Sequence, residues 1–265
     1  MGILQPANPL AIGFYTIRDA ARLIEVGSKT RIAGWLRGYP GREIDPLLAR
    51  DFQPIEGKQE LSFLDLMEVR FVEHFREQGV SVRALRQALQ TARQIFGDDK
   101  PLVSQKIRFV TTEDRKNVFV EEALKPAAKE TEDTRLWSLL NRQYEMYEFI
   151  MDRLARGVVF DPATQIATRW APRPDEFPTI HVDPRVAYGQ PALPSGYPTQ
   201  VIYEAWQAED EDYGTVADGF NIGLEDVQTA VMFERKIDAH QRNASVGAHL
   251  KLALISIFPS ACATP

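Results

Sequence analysis

Apolar positions fall into helical spacing almost from the start of the chain. After Thr16-Ile17-Arg18-Asp19, residues Ala20, Leu23 and Ile24 recur three and four apart, the spacing of one helix face. Thr16 and Asp19 stand three apart, where a hydroxyl and a carboxylate can satisfy the first amides of a helix reciprocally. Val26-Gly27 breaks this helix, and Ser28 is placed to cap a second one with Ile32, Trp35 and Leu36 inward. Two short helices about a glycine-containing turn predict a helix-turn-helix. Gly38-Tyr39-Pro40-Gly41 ends it, and the irregular stretch 42–60, with Pro46, Pro54 and Gly57, leaves room for a short β wing.

Ser62 and Asp65 repeat the cap, opening a helix through Gln78 on Leu66, Val69, Phe71, Val72 and Phe75. Gly79 stops it. Ser81 starts a further helix with Leu85, Ala88, Leu89, Ala92 and Phe96 inward and Arg83, Arg86 and Arg93 toward solvent, closed by Gly97 and Pro101. Residues 107–110 and 118–120 flank the polar turn Glu113-Asp114-Arg115-Lys116 as a hairpin. Between 131 and 156 runs the longest helical stripe: Leu136, Leu140, Tyr144, Tyr147, Met151 and Leu154, spaced 4, 4, 3, 4 and 3. Leu139, Met146, Phe149 and Ile150 widen it beyond one contact face. Two uses fit such a surface, a homodimer interface or burial between two domains. A second hairpin is expected over 158–160 and 165–170, then a linker at Pro172, Pro174 and Pro178.

Beyond the prolines, Ile180-His181-Val182-Asp183-Pro184 reads as a short strand and Ser195-Gly196-Tyr197-Pro198 as a turn. Thr199 is the expected cap of a helix to Ala208, followed by helices over 213–220 and from Leu224, the last with Val227, Ala230, Val231 and Phe233 inward. The fold class is α+β, mainly α. The expected units are 1–125, a winged helix-turn-helix; 126–178, the long helix, hairpin and linker; 179–240, a three-helix bundle; and 241–265, a tail.

Composition is that of a globular chain, 44% hydrophobic and 26% charged over 265 residues. No apolar run approaches the roughly 18 residues of a membrane span and no charged-then-apolar leader follows Met1, so a cytoplasmic location is expected. One cysteine, Cys262, and four scattered histidines give no metal-ligand spacing, and neither metal nor cofactor is predicted. A net charge of −6 confines any nucleic-acid surface to a local patch. Residues 14–42 hold six bases against two acids, whereas 204–212 hold five acids and no base. The two ends therefore suit different partners.

In a helix-turn-helix the start of the second helix meets base edges. Here that start is Ser28, Lys29, Thr30 and Arg31, with Arg18, Arg37, Tyr39 and Arg42 placed for phosphates. No glycine-rich phosphate loop, nucleophile elbow or His-Glu-x-x-His occurs. His181 and Asp183 form a dyad without a third group, so no enzyme is predicted. The acids Glu209, Asp210, Glu211, Asp212, Glu225 and Asp226, with Tyr203 or Trp206 as apolar anchor, suit a cationic protein surface.

Tyr15-Thr16-Ile17-Arg18-Asp19-Ala20-Ala21-Arg22-Leu23 with Trp35-Leu36-Arg37-Gly38-Tyr39, continued by Leu61-Ser62-Phe63-Leu64-Asp65-Leu66 and 79–86, resembles the winged helix-turn-helix of MerR-like regulators. Val182-Asp183-Pro184, Gly189-Gln190-Pro191, Pro198-Thr199, Tyr213 and Leu224-x-Asp226-Val227-x-x-Ala230 look like a small helix-turn-helix domain common in prokaryotic antitoxins. Tyr197-Pro198-Thr199 departs from the Gly-Thr-Arg-like turn more frequent there. The combination resembles a two-domain subgroup of VapB-type antitoxins. That resemblance implies repression of its own operon at operator DNA and neutralisation of a PIN-like ribonuclease toxin. The alternative is a stand-alone MerR-like regulator whose C-terminal half senses a ligand.

Overall fold

A computed structural model of the chain describes residues 12–53, 60–111, 118–122 and 156–239. The stripe from Leu136 to Leu154, with the dimer interface expected on it, lies outside the described residues, as does the tail. The fold is α+β. Helices α1 (Ile17–Leu23), α2 (Lys29–Arg37), α3 (Phe63–Glu77) and α4 (Val82–Phe96) precede α5 (Thr199–Ala208), α6 (Tyr213–Phe220) and α7 (224–239). Short antiparallel sheets accompany them: β1 (Tyr15–Thr16) with β2 (Glu60–Leu61), β3 (Ile107–Thr111) with β4 (Val118–Glu122), and a four-stranded sheet. Its members, in order, are β5 (Val158–Phe160), β6 (Ala167–Trp170), β7 (His181–Val182) and β8 (Pro191–Ala192).

The helix starts are those that the caps dictate. Thr16 and Ser62 each close a full capping box, with Asp19 and Asp65, and Ser28 and Ser81 each accept an amide of the first turn. Helix α1 ends at Leu23, earlier than Val26-Gly27 suggests, because Glu25 takes a left-handed φ of 62°. Arg173 holds the Glu25 carboxylate from the far half of the chain.

No wing forms over the described part of 42–60. A 3-10 turn, Pro40–Arg42, and a single bridge between Tyr39 and Ile44 stand there, and β2 pairs back onto β1. The chain then straps across α3 and α4. Leu47 and Leu48 enter the core, and both their amides donate to the Trp35 carbonyl. Arg86 and Arg93, expected in solvent, instead donate to the carbonyls of Pro46 and Leu47. Buried Lys100 completes the clamp, donating to the Ala49 carbonyl and pairing with Asp65. Three cations thus pin the segment that follows α2.

The proline-rich stretch is not a linker. Phe177 packs edge-on against Phe233 at 5.5 Å, Ile180 is fully buried, and Lys236 pairs with Glu176. The boundary expected between 178 and 179 also falls inside a sheet, since Trp170 of β6 pairs with Val182 of β7. Thr199 is not the cap of α5. Pro198 occupies that position, and the buried Thr199 hydroxyl contacts the Pro191 carbonyl and the Glu234 carboxylate. One hydrophobic cluster runs from Tyr15 and Ala20 through Phe75 and Trp170 to Phe233 and Ile237, so both halves share a core.

Candidate nucleic-acid interface

Helix α2 presents its outer face because its inner one is fully used. Ile32, Trp35 and Leu36 are buried, and at 100° per residue the opposite side is centred on Thr30 and Arg37. Lys29, Thr30 and Arg37 are exposed, as are Arg18 on α1 and Arg42 in the 3-10 turn. Among the described residues none of these four cations is held in an ion pair. Tyr39 lies against Gly34, where a Cβ would run into the phenol ring, so the ring covers the outer face of α2 and remains partly exposed. Ser28 contributes as a cap, its hydroxyl accepting the Arg31 amide at 3.3 Å.

Arg31 stands apart from this set. It lies on the flank of α2, and its Nη1 donates to both carboxylate oxygens of Glu73 on α3, at 2.9 and 3.2 Å. The same carboxylate receives Arg76 through Nε at 2.9 Å and Nη2 at 2.7 Å. Burial raises the Glu73 pKa, but the hydrogen bonds of Arg76 and the charge of Arg31 outweigh it and hold the group below its ordinary value. No local signal announces this pairing, because Arg31 and Glu73 are separated by 42 positions and belong to different helices.

At the opposite end, the acidic run is partly structural. Asp212 caps α6, accepting the amides of Gly214 and Thr215, and Glu211 lies 3.8 Å from Arg235. Glu209, Asp210 and Glu225 are exposed, and Asp226 is half-buried at the start of α7. Trp206 does not serve as an accessible anchor. At 2% exposure it stacks within the bundle on Tyr203 and packs at a tilt against Tyr213, under the Arg235 guanidinium at 4.5 Å. Tyr203 is half-buried beside it.

The two ends meet at α1. Arg22 pairs with the buried Glu234 and donates to Asp238 at 3.1 Å, both on α7. Burial disfavours the Arg22 cation, yet the two carboxylates raise its pKa. The Tyr15 hydroxyl donates to the Gly189 carbonyl at 2.7 Å, and burial pushes its pKa up, with Asp183 and Asp19 adding to the rise. A cavity of about 70 Å³ lies at this junction, lined by Asp19, Arg22, Gln190, Gln200 and Glu234 among others.

Among the described residues no helix is long and apolar enough to cross a membrane. No protein-family model matches the sequence, and no curated protein matches it. Among solved structures, the chain is similar to the crystal structure of Rv2018 from Mycobacterium tuberculosis, with a TM-score of 0.55 and 19% identity over 86% of this chain and 100% of that one. At that identity the likeness is one of fold alone.

Proposed function

We propose that the chain is a cytoplasmic type II antitoxin that binds operator DNA through α2 and its surroundings and holds a PIN-like ribonuclease toxin through its acidic C-terminal half. The reading rests on the exposed surface of α2, where Lys29, Thr30 and Arg37 stand with no carboxylate among the described residues paired with either cation, in a protein whose net charge is −6. A locally cationic helix on an acidic molecule needs an anionic partner. The MerR-like resemblance of residues 14–42 makes that partner duplex DNA, bound as a homodimer through the helix expected over 131–156. Replacing Lys29 and Arg37 together by Ala should weaken binding to a duplex from the region upstream of the gene by about 10-fold or more, with a shallower salt dependence. Unchanged binding in a gel-shift titration, with wild-type circular dichroism, rejects the assignment.

The ligand-sensing alternative has the junction cavity in its favour. Its volume of about 70 Å³ suits a few waters, far below the 300–1,000 Å³ or so of small-molecule pockets.

A further inference from the structure

Glu73 is bound twice over. Arg76 grips it with the planar fork of Nε and Nη2, one nitrogen to each oxygen, which is the strong bidentate geometry for a carboxylate. Arg31 adds only Nη1, shared between the two oxygens at 2.9 and 3.2 Å, so Nε and Nη2 of its guanidinium make no contact with Glu73. The Arg31 side chain is 33% exposed, against 6% for Glu73. Arg76 alone can therefore keep the buried carboxylate paired if Arg31 leaves. Arg31 is also the third residue of α2, next to Thr30 and about 100° around the helix from it, within a rotamer change of the outer face.

We infer that Glu73 is a positioning residue that holds Arg31 in reserve, and that Arg31 crosses from Glu73 to DNA where a guanine edge offers it O6 and N7 as two acceptors. This rests on the DNA-binding reading of α2. Before contact, Glu73 stands in for the nucleic acid. On contact, Arg31 exchanges one shared nitrogen bond for a bidentate pair, and Arg76 carries Glu73 unaided. DNA without a guanine edge within reach leaves Arg31 on Glu73, so the carboxylate lowers affinity for the wrong sequence more than for the right one. Glu73 thereby sets specificity without touching DNA. Glu77 and Glu25 also face this cluster, the latter already held by Arg173.

The test uses the full chain and two duplexes, one from the region upstream of its gene and one of scrambled sequence, with anisotropy titrations over a range of salt. Glu73→Gln frees Arg31, and binding to the scrambled duplex should tighten about 10-fold, with a salt slope steeper by about one phosphate contact. Arg76→Gln commits Arg31 to Glu73, and binding to the upstream duplex should weaken about 10-fold. The Glu73→Gln/Arg76→Gln pair should behave as Glu73→Gln alone, and Glu73→Gln should have no effect in an Arg31→Ala background. Unchanged affinity and salt slope in Glu73→Gln overturns the inference while leaving the DNA reading intact. So does a loss in Arg76→Gln that persists when Glu73 is also Gln, because Arg76 would then touch DNA itself. Failure of the folded wild-type chain to bind either duplex overturns the DNA reading and the inference with it. Arg76 lies at the surface, with its side chain 36% exposed, so its variant keeps the test decisive if Glu73→Gln does not fold.

Discussion

Glu68 sits in mid-α3 with both carboxylate oxygens buried and, among the described residues, without a hydrogen-bond partner, and Lys100 Nζ is 4.0 Å away. Burial pushes its pKa up from 4.5 to about 8, and Lys100 and Arg93 offset only part of the rise. A carboxyl whose folded pKa is raised binds its proton more tightly in the native state, so its contribution is complete below the unfolded value and is lost as pH climbs through the folded one. Stability should therefore decline from about pH 4.5 to about pH 8, and Glu68→Gln, which cannot ionise, should remove that slope. Melting temperatures across this range test it: the variant should gain several degrees over wild type at alkaline pH and little at acid pH, and parallel curves would contradict the assignment. Gly189 is another residue whose surroundings leave little choice. Its φ is +86°, and a Cβ there would collide with the Tyr15 phenol that donates to its carbonyl. Gly189→Ala should cost about 2 kcal/mol in urea unfolding. Neither residue is conspicuous in the sequence, because burial and a contact across 174 positions leave no local mark.

Elements whose signals are local are legible in the sequence, and those fixed by distant contacts are not. The caps at Thr16, Ser28, Ser62 and Ser81 place four helix starts, because a hydroxyl and the amides it satisfies lie within one turn. The cap expected at Thr199 fails for the same reason in reverse. Its hydroxyl is turned to Glu234, 35 positions away, which nothing near Thr199 announces. The prolines at 172, 174 and 178 signal a break in regular structure, but not that Phe177 and Ile180 would be drawn into the core between them. Of the expected DNA surface, Arg18, Lys29, Thr30, Arg37 and Arg42 are exposed as their polar positions suggest, whereas Arg31 is claimed by α3. The dependence of α2 on Tyr39 gives a test at this scale. Gly34→Ala would push a methyl into the Tyr39 ring, lifting it from the helix and disturbing the turn that carries Arg42. DNA affinity should fall by about 10-fold while thermal unfolding remains cooperative. Wild-type affinity would show that Tyr39 and Arg42 take no part.

At the scale of the whole molecule, the cationic and acidic ends are joined through a common core and a buried ion pair, so they should unfold together. Arg22 is the only described cation paired with Glu234, which is fully buried, and removing one partner of a buried pair typically costs about 3–5 kcal/mol. Arg22→Ala should lower the melting temperature, while a shift of under a degree by calorimetry would mean that the junction contributes little. The same architecture decides how the partner surface must be probed. A fragment beginning near Pro178 would lose β6, which pairs with β7, and β5, which pairs with β6, and also the Phe177 ring that covers Phe233, so only the full chain gives a fair answer. Glu209, Asp210 and Glu225 are exposed, whereas Asp212 caps a helix and Glu211 faces Arg235. Charge reversal should therefore be confined to the first three. On the proposed reading these carboxylates meet a cationic surface that holds RNA, and each reversed charge turns attraction into repulsion across the interface. Glu209→Lys, Asp210→Lys and Glu225→Lys together should abolish co-purification with the ribonuclease encoded beside the gene at moderate salt. Binding to the upstream duplex should stay within about twofold, since α2 is untouched. Capture that survives all three reversals would move the toxin site away from the acidic turn and α7, to surfaces contributed by other parts of the chain.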